Sequence, residues 1–126
     1  MITMTPQETL KQYEQALATQ SWDAVEPLMH NDVCVTFLNG TFKGLEEVKS
    51  VFVTNFASIQ EEQYEISNTH WVYTSNTNAV CLYDFSWRGM IDGEWCSGGG
   101  RGTSVLIFEG HQWKIITEHL GPYASE

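Results

Sequence analysis

The chain is poor in positive charge and in long apolar runs, and each shortage excludes a class of protein. Six Lys and Arg stand against 16 Asp and Glu in 126 residues, which gives a net charge of −10. Nucleic acids and anionic membranes are bound by cationic surfaces, so neither is a predicted partner. No stretch approaches the roughly 18 consecutive apolar residues of a membrane helix.

Paired cysteines and metal-ligand spacings are also missing. Cys34, Cys81 and Cys96 are an odd number of thiols at wide spacings, which favours a reduced protein of the cytoplasm. The four histidines share no metal-ligand spacing, and the glycine run at 98–100 lacks the strand–loop–helix context of a phosphate loop. The sequence therefore predicts no metal and no cofactor.

Aromatic residues are the group present in excess. They make up 13% of the chain, with five Trp and six Phe. Such a content indicates an aromatic cavity or a buried interface, and simple core filling is the alternative. The length suits one domain, predicted over residues 1–126.

Helical patterns dominate the first half of the chain. Thr5 as N-cap, Pro6 at the first helical position and Glu8 form a capping-box start. Apolar residues at helical spacing follow this start and recur twice more. The predicted helices run from Pro6 to about Thr19, from Trp22 to about Met29 and from Leu45 to about Ala57.

Strand patterns occupy the rest, and the predicted class is α+β. A bulge or bend is expected at Ser97–Gly100, because three consecutive glycines interrupt the alternation there. The predicted strands cover Asp32–Leu38, Gln63–Tyr73, Ala79–Arg88, Glu94–Cys96, Arg101–Phe108 and Trp113–Leu120.

Alternation along the strands predicts two apolar sheet faces. With a Gly110-His111 turn, the hairpin presents Trp113, Ile115, Thr117 and His119 on the face expected beneath the helices. The opposite face carries Val105, Ile107, Ile116 and Leu120. A second apolar face needs a cover, so a homodimer through the outer face is predicted, and scattered exposed aliphatics are the alternative.

Two segments, DAVEPLMHNDVCVTFLNGTFKGLEEVKSVF and RGTSVLIFEGHQWKIITEHLGPY, resemble the SnoaL-like branch of the nuclear transport factor 2-like superfamily. The resemblance implies a cone-shaped, cystatin-like fold in which three N-terminal helices pack on a curved antiparallel sheet, with a pocket at the open end. Members include isomerases, dehydratases, polyketide cyclases and oligomerisation modules, so the resemblance does not specify one activity.

Ketosteroid isomerase, a member of that superfamily, provides a test of the chemistry. Tyr13 falls where that enzyme keeps its first-helix oxyanion tyrosine. The proton-shuttling aspartate falls at Phe37 and the second oxyanion acid at Ser104. The comparison therefore predicts a pocket without a carboxylate to take the proton.

The predicted catalytic residues are His119, as acid or base, and Tyr13, as hydrogen-bond donor to a carbonyl. For His119 the alternative is a core histidine bonded to a neighbouring group. The predicted ligand-binding residues are Phe37, Phe56, Tyr83, Phe85, Trp87, Arg101, Ser104, Trp113 and Thr117.

Arg101 has two possible orientations. Strict alternation points it to the outer face, where Glu118 is a possible ion-pair partner, whereas a bulge in the glycine run would turn it inward to bind an acidic ligand.

Two functions follow as hypotheses. The first is an isomerase, lyase or cyclase acting on a hydrophobic carbonyl compound. The second is a non-catalytic ligand-binding or dimerisation module.

Overall fold

A computed structural model describes residues 4–123. Met1–Thr3 and Ala124–Glu126, at the two ends of the predicted domain, lie outside the described residues. Helices packed against one six-stranded sheet confirm the α+β class. The elements are α1 (Pro6–Ala18), α2 (Trp22–Val25), β1 (Met29–Phe37), β2 (Gly40–Lys43), α3 (Leu45–Ser58), β3 (Gln60–Thr74), β4 (Asn78–Ile91), β5 (Glu94–Glu109) and β6 (Gln112–Pro122).

The capping box at the start of α1 is confirmed. The Thr5 hydroxyl accepts a hydrogen bond from the Glu8 amide at 3.1 Å, and the Thr5 amide donates to Glu8 Oε1 at 3.0 Å. Two amides that have no partner within the helix are thereby satisfied. The apolar face that follows buries Leu10, Tyr13 and Leu17 against the sheet.

The second helix is shorter than predicted. It ends at Val25 and passes into a 3-10 turn over Glu26–Leu28 that contains Pro27. Proline lacks an amide hydrogen and interrupts α-helical hydrogen bonding, so the chain enters β1 at Met29 instead of Asp32. No helix within residues 4–123 has both the length and the apolar character needed to cross a bilayer.

The sheet has the strand order β2-β1-β6-β5-β4-β3. The pair β1 and β6 is parallel, and all other neighbours are antiparallel. The short strand β2 was not predicted. It forms because the Asn39-Gly40 turn folds the chain back, so that Phe37 pairs with Gly40 and Val35 with Phe42.

The predicted bulge in the glycine run is wrong. Strand β5 continues through Ser97–Gly100. It pairs with β4 without a register shift, from the pair of Ile91 with Glu94 at one end to the pair of Asn78 with Ile107 at the other. The run has a packing role instead. A β-carbon at Gly98 would lie 2.7 Å from Trp87 Nε1, so glycine allows the indole to lie against the strand.

A bulge lies in β6 instead, at Ile116. Leu106 pairs with Ile115 as predicted, but the next pair is Val105 with Thr117, which leaves Ile116 as an extra residue. After one extra residue, every later side chain of the strand points to the opposite face of the sheet from the one that alternation predicts. Trp113 and Ile115 are therefore buried before the bulge, and Glu118 is buried after it.

Candidate functional site

A cavity of about 430 Å³ opens between the helices and the inner face of the sheet. Most of its wall is aromatic or aliphatic, contributed by α1, α3, the end of β1 and strands β3 to β6. Its lining consists of Tyr13, Leu17, Phe37, Leu38, Phe52, Asn55, Phe56, Ile59, Glu62, Tyr64, Phe85, Trp87, Gly98, Gly99, Glu118, Leu120, Gly121 and Pro122.

Glu118 is the most buried acid of this lining, at 1% exposure. Its Oε1 accepts a hydrogen bond from the Tyr13 hydroxyl at 3.1 Å. Its Oε2 is also buried and has no hydrogen-bond partner among residues 4–123. A buried carboxyl oxygen without a partner is unfavourable, so a group that fills this position from the cavity would be stabilised.

Burial raises the pKa of Glu118 to about 7. The hydrogen bond from Tyr13 and the neighbouring hydroxyl groups of Ser104 and Tyr83 act in the opposite direction, because they favour the charged form. The carboxyl group therefore exchanges its proton near neutral pH, which is the range in which a general acid or base is most effective.

Tyrosine side chains surround this carboxyl group. The Tyr83 hydroxyl lies 2.8 Å from Ser104 Oγ, and this pair is buried beside Glu118. The Tyr64 hydroxyl is buried without a hydrogen-bond partner in the described part of the chain. Burial first, and then the charge of Glu118, hold the pKa values of Tyr64 and Tyr83 well above the usual range, so both remain hydrogen-bond donors at neutral pH.

The aromatic wall is made of rings that pack on one another. Tyr64 stacks on Phe85 with ring centroids 6.3 Å apart, and Phe52 meets Phe56 edge to face at 6.1 Å. Such arrangements favour rigid placement of the rings. The rings therefore give the cavity a firmly packed, largely apolar wall.

The structure places five of the predicted site residues in the cavity lining, namely Tyr13, Phe37, Phe56, Phe85 and Trp87. Tyr83 and Ser104 are buried behind the lining, where they bond to each other. Trp113 belongs to the core and packs on Phe108 at 5.5 Å.

The predicted inward orientation of His119 is wrong, because the Ile116 bulge turns it outward. His119 is exposed on the outer face, so the core-histidine alternative fails as well. Thr117 turns outward for the same reason and donates its hydroxyl to the Cys34 carbonyl at 2.9 Å. Arg101 is exposed too, with its guanidinium 5.3 Å from the Tyr123 ring centroid, as strict alternation in an unbroken β5 requires.

Sequence analysis placed Glu118 on the outer face and predicted a pocket without a carboxylate, and both predictions are wrong. A signal for the bulge was present: apolar residues occupy odd positions at Trp113 and Ile115, then even positions at Ile116 and Leu120. Tyr64 and Glu62 were also missed. They lie on β3, where three register shifts make the alternation hard to follow.

A profile of the family described as SnoaL-like domain matches residues 7–125. The chain belongs to this family. The predicted SnoaL-like assignment is thus confirmed. No curated protein is significantly similar to the chain.

Solved structures confirm the predicted fold. A nuclear transport factor 2-like superfamily protein from Salmonella enterica has a TM-score of 0.86 at 13% identity, covering 94% of this chain and 88% of that protein. A proposed dehydratase from Streptomyces avermitilis, described as nuclear transport factor 2-like, has a TM-score of 0.84 at 14% identity and covers 94% of both chains. A proposed aromatic ring hydroxylase from Novosphingobium aromaticivorans has a TM-score of 0.85 at 18% identity, covering 94% of this chain and 87% of that protein. At these identities the likeness shows the fold alone.

Proposed function

We propose that this SnoaL-like domain binds a hydrophobic carbonyl compound and moves a proton at the carbon beside the carbonyl group, with Glu118 as the base. The observation that carries the proposal is the position of Glu118 Oε2, which is buried in the lining of an aromatic cavity without a hydrogen-bond partner among the described residues. A pKa of about 7 suits this carboxyl group to accept the proton and to return it.

The proposed step uses two groups of the lining. Glu118 takes a proton from the carbon next to the carbonyl, the electrons of that C–H bond form a carbon–carbon double bond, and the carbonyl π electrons move to the oxygen to give an enolate. The Tyr64 hydroxyl, which has no partner among residues 4–123, donates a hydrogen bond to that oxygen. Return of the proton from Glu118 to the same carbon gives hydrogen exchange, and in a substrate with a carbon–carbon double bond beside that carbon its return to the far end of the dienolate completes an isomerisation.

Tyr13 takes a different role from the one expected from the sequence. Its hydroxyl donates to Glu118 Oε1, so it is a positioning residue that holds the carboxyl group. Tyr64 replaces it as the donor to the carbonyl oxygen in the proposed step. Because Tyr13 occupies Oε1, it leaves Oε2 as the oxygen that meets the substrate.

A non-catalytic binding module is the competing function, and one observation favours it. Tyr83 and Ser104 bond to each other, as expected for a polar cluster that only satisfies itself. Two groups with no partner, the Tyr64 hydroxyl and Glu118 Oε2, favour catalysis instead. The two functions differ in whether a bound carbonyl compound exchanges its protons.

The experiment uses 2-tetralone, a flat ketone with acidic hydrogens beside its carbonyl. Its exchange of hydrogen for deuterium in heavy water is followed by proton NMR for the wild type, Glu118→Gln and Tyr64→Phe. We expect exchange above the buffer rate in the wild type and a loss of about 100-fold or more in Glu118→Gln, since a positioned base contributes about that much. Tyr64→Phe should reduce the rate while Glu118 keeps its base function.

Thermal-shift measurements with the same ketone separate binding from turnover. Binding without exchange in the wild type would contradict catalysis and support the binding module. Equal exchange by the wild type and a folded Glu118→Gln variant would rule out Glu118 as the base.

A homodimer through the outer sheet face is the proposed assembly. Tyr73 and Leu82 are 56% and 42% exposed on this face, beside the half-buried Val105 and Ile107. Burying them in a partner copy would remove apolar surface from water. Light scattering should give the mass of two chains for the wild type and of one chain for Leu82→Lys, and a monomeric wild type would contradict the dimer.

The cytoplasm is the proposed location. Cys34, Cys81 and Cys96 are all free thiols, which is the usual state in a reducing compartment.

A further inference from the structure

The cavity contains a second carboxyl group, that of Glu62 on β3. Its side chain is half-buried, and this burial raises its pKa above the ordinary value. A carboxylate loses solvation in such a position, so its presence in an aromatic lining requires a physical reason.

The backbone around Glu62 is shaped to turn this side chain into the cavity. Gln60 pairs with Met90 and Gln63 with Arg88, so the segment between them contains an extra residue and forms a bulge. Glu61 has a φ of 53°, in the left-handed region that residues other than glycine rarely adopt. Bulges re-aim side chains near functional sites, and here the bulge directs Glu62 inward.

Two further residues hold the bulge in place. The Glu62 amide donates to Gln20 Oε1 at 3.1 Å, and the Gln20 side-chain amide donates to the carbonyls of Phe56 and Ile59. Opposite the bulge, a β-carbon at Gly89 would meet Ile59 Cγ2 and come within 3.4 Å of Glu62 Cα, so glycine leaves room for the displaced strand. The turn after α1, the end of α3 and strand β4 thus support the backbone that carries this carboxyl group.

No positive side chain of the protein balances Glu62 in the described cavity. Neither Lys nor Arg contributes to its lining, and the ion pairs found within residues 4–123 join His30 to Asp32 and to Glu109. The lining instead contains aromatic rings, a group whose faces attract cations. The balancing charge is therefore expected to arrive with the ligand.

We infer that Glu62 is a specificity-determining residue that selects ligands carrying a protonated amine. The inference rests on the proposed function and deepens it: the substrate class becomes hydrophobic carbonyl compounds that also bear a basic nitrogen. The amine lies at Glu62 near solvent, and the carbonyl part extends to the buried end of the cavity, where Glu118 and Tyr64 meet it. Acidic molecules are repelled, because both carboxyl groups of the lining oppose them.

Three naphthalene probes of nearly equal shape test this selection: 2-naphthylmethylamine, 2-naphthylmethanol and 2-naphthoate. Binding is measured by calorimetry at neutral pH and low salt, because screening weakens the interaction with charge. We expect the wild type to bind the amine about tenfold more tightly than the alcohol, equivalent to about 1.4 kcal/mol, and the acid most weakly. Glu62→Gln should bind amine and alcohol equally.

Glu65→Gln is the matched control, since it removes the same charge from an exposed position of the same strand, outside the cavity lining. It should keep the preference for the amine. Equal binding of amine and alcohol by the wild type would overturn the inference and leave the binding cavity intact. Loss of the preference in Glu118→Gln but not in Glu62→Gln would also overturn it. Failure of all three probes to bind would contradict the binding cavity itself, and with it the proposed function.

Discussion

Glu118 and His119 are neighbours in the chain, yet they occupy opposite environments. Glu118 is 1% exposed, bonded to Tyr13 and part of the cavity lining, whereas His119 is exposed on the outer face. Glutamate ordinarily titrates well below neutral pH, and Glu118 titrates at about pH 7 because it is buried. The comparison shows that the environment, and not the residue type, decides which side chain is suited to proton transfer.

The position of each residue follows from the single extra residue in β6. Before Ile116 the odd positions of the strand face the core, and after it the even positions do. The two faces also differ in composition. The inner face places carboxyl and hydroxyl groups among aromatic rings, while the outer face exposes Tyr73, Leu82 and Arg101.

The largest expected effect concerns the pH dependence of stability at position 118. The folded-state pKa of Glu118 lies at about 7, above its ordinary value of 4.5, so the folded protein binds the proton more tightly than the unfolded chain. The free energy of unfolding should therefore decrease as the pH rises from 4.5 to about 7, and level off above that. The loss assigned to this carboxyl group is about 3 kcal/mol.

Urea unfolding of the wild type and Glu118→Gln, from about pH 5 to about pH 8, measures this effect, because the difference between the two variants isolates the one carboxyl group. Glutamine does not titrate, so the wild type should lose stability relative to the variant over this range. A pH-independent difference would contradict the raised pKa.

A smaller effect is expected when the contact between Tyr13 and Glu118 is removed. Tyr13→Phe deletes the hydroxyl that favours the charged carboxylate, so the pKa of Glu118 should rise further, by about one unit. In a plot of the 2-tetralone exchange rate against pH, the midpoint should shift to higher pH by that amount. The plateau rate at high pH should change little. A uniform fall in rate at every pH would instead indicate damage to the cavity, and the positioning role of Tyr13 would be wrong.

The smallest effect is expected at position 119. His119→Ala alters an exposed side chain on the face away from the cavity, so stability should change by less than about 0.5 kcal/mol. The rate of 2-tetralone exchange should also stay the same. Thermal unfolding and the exchange measurement check both statements, and a tenfold loss of exchange would show that His119 takes part after all.

Features that depend on neighbouring residues were predictable from the sequence. The Thr5 capping box, the buried face of α1 and the hairpin pairs Phe108–Trp113 and Leu106–Ile115 are all present. The cavity wall was also anticipated in part, since Phe37, Phe56, Phe85 and Trp87 line it. Helical spacing and strand alternation carry this information within a few residues of each position.

Features that depend on strand register were not predictable in the same way. The glycine run indicated a bulge in β5, but close packing of Trp87 explains those glycines and β5 stays in register. The actual bulge lies where β6 pairs with β5 on one side and with β1 on the other. The parallel pairing of β1 with β6 joins segments far apart in the chain, so local sequence patterns do not predict it.

The sequence by itself determined the α+β class, the family resemblance, the negative net charge of the chain and the presence of aromatic residues for a cavity wall. Only the tertiary structure decided that Glu118 faces inward, that His119 faces outward and that a bulge in β3 turns Glu62 toward the ligand space. The physical reason is the two-residue period of a strand: one extra residue reverses every side chain beyond it, and the pairing partners determine where that residue lies.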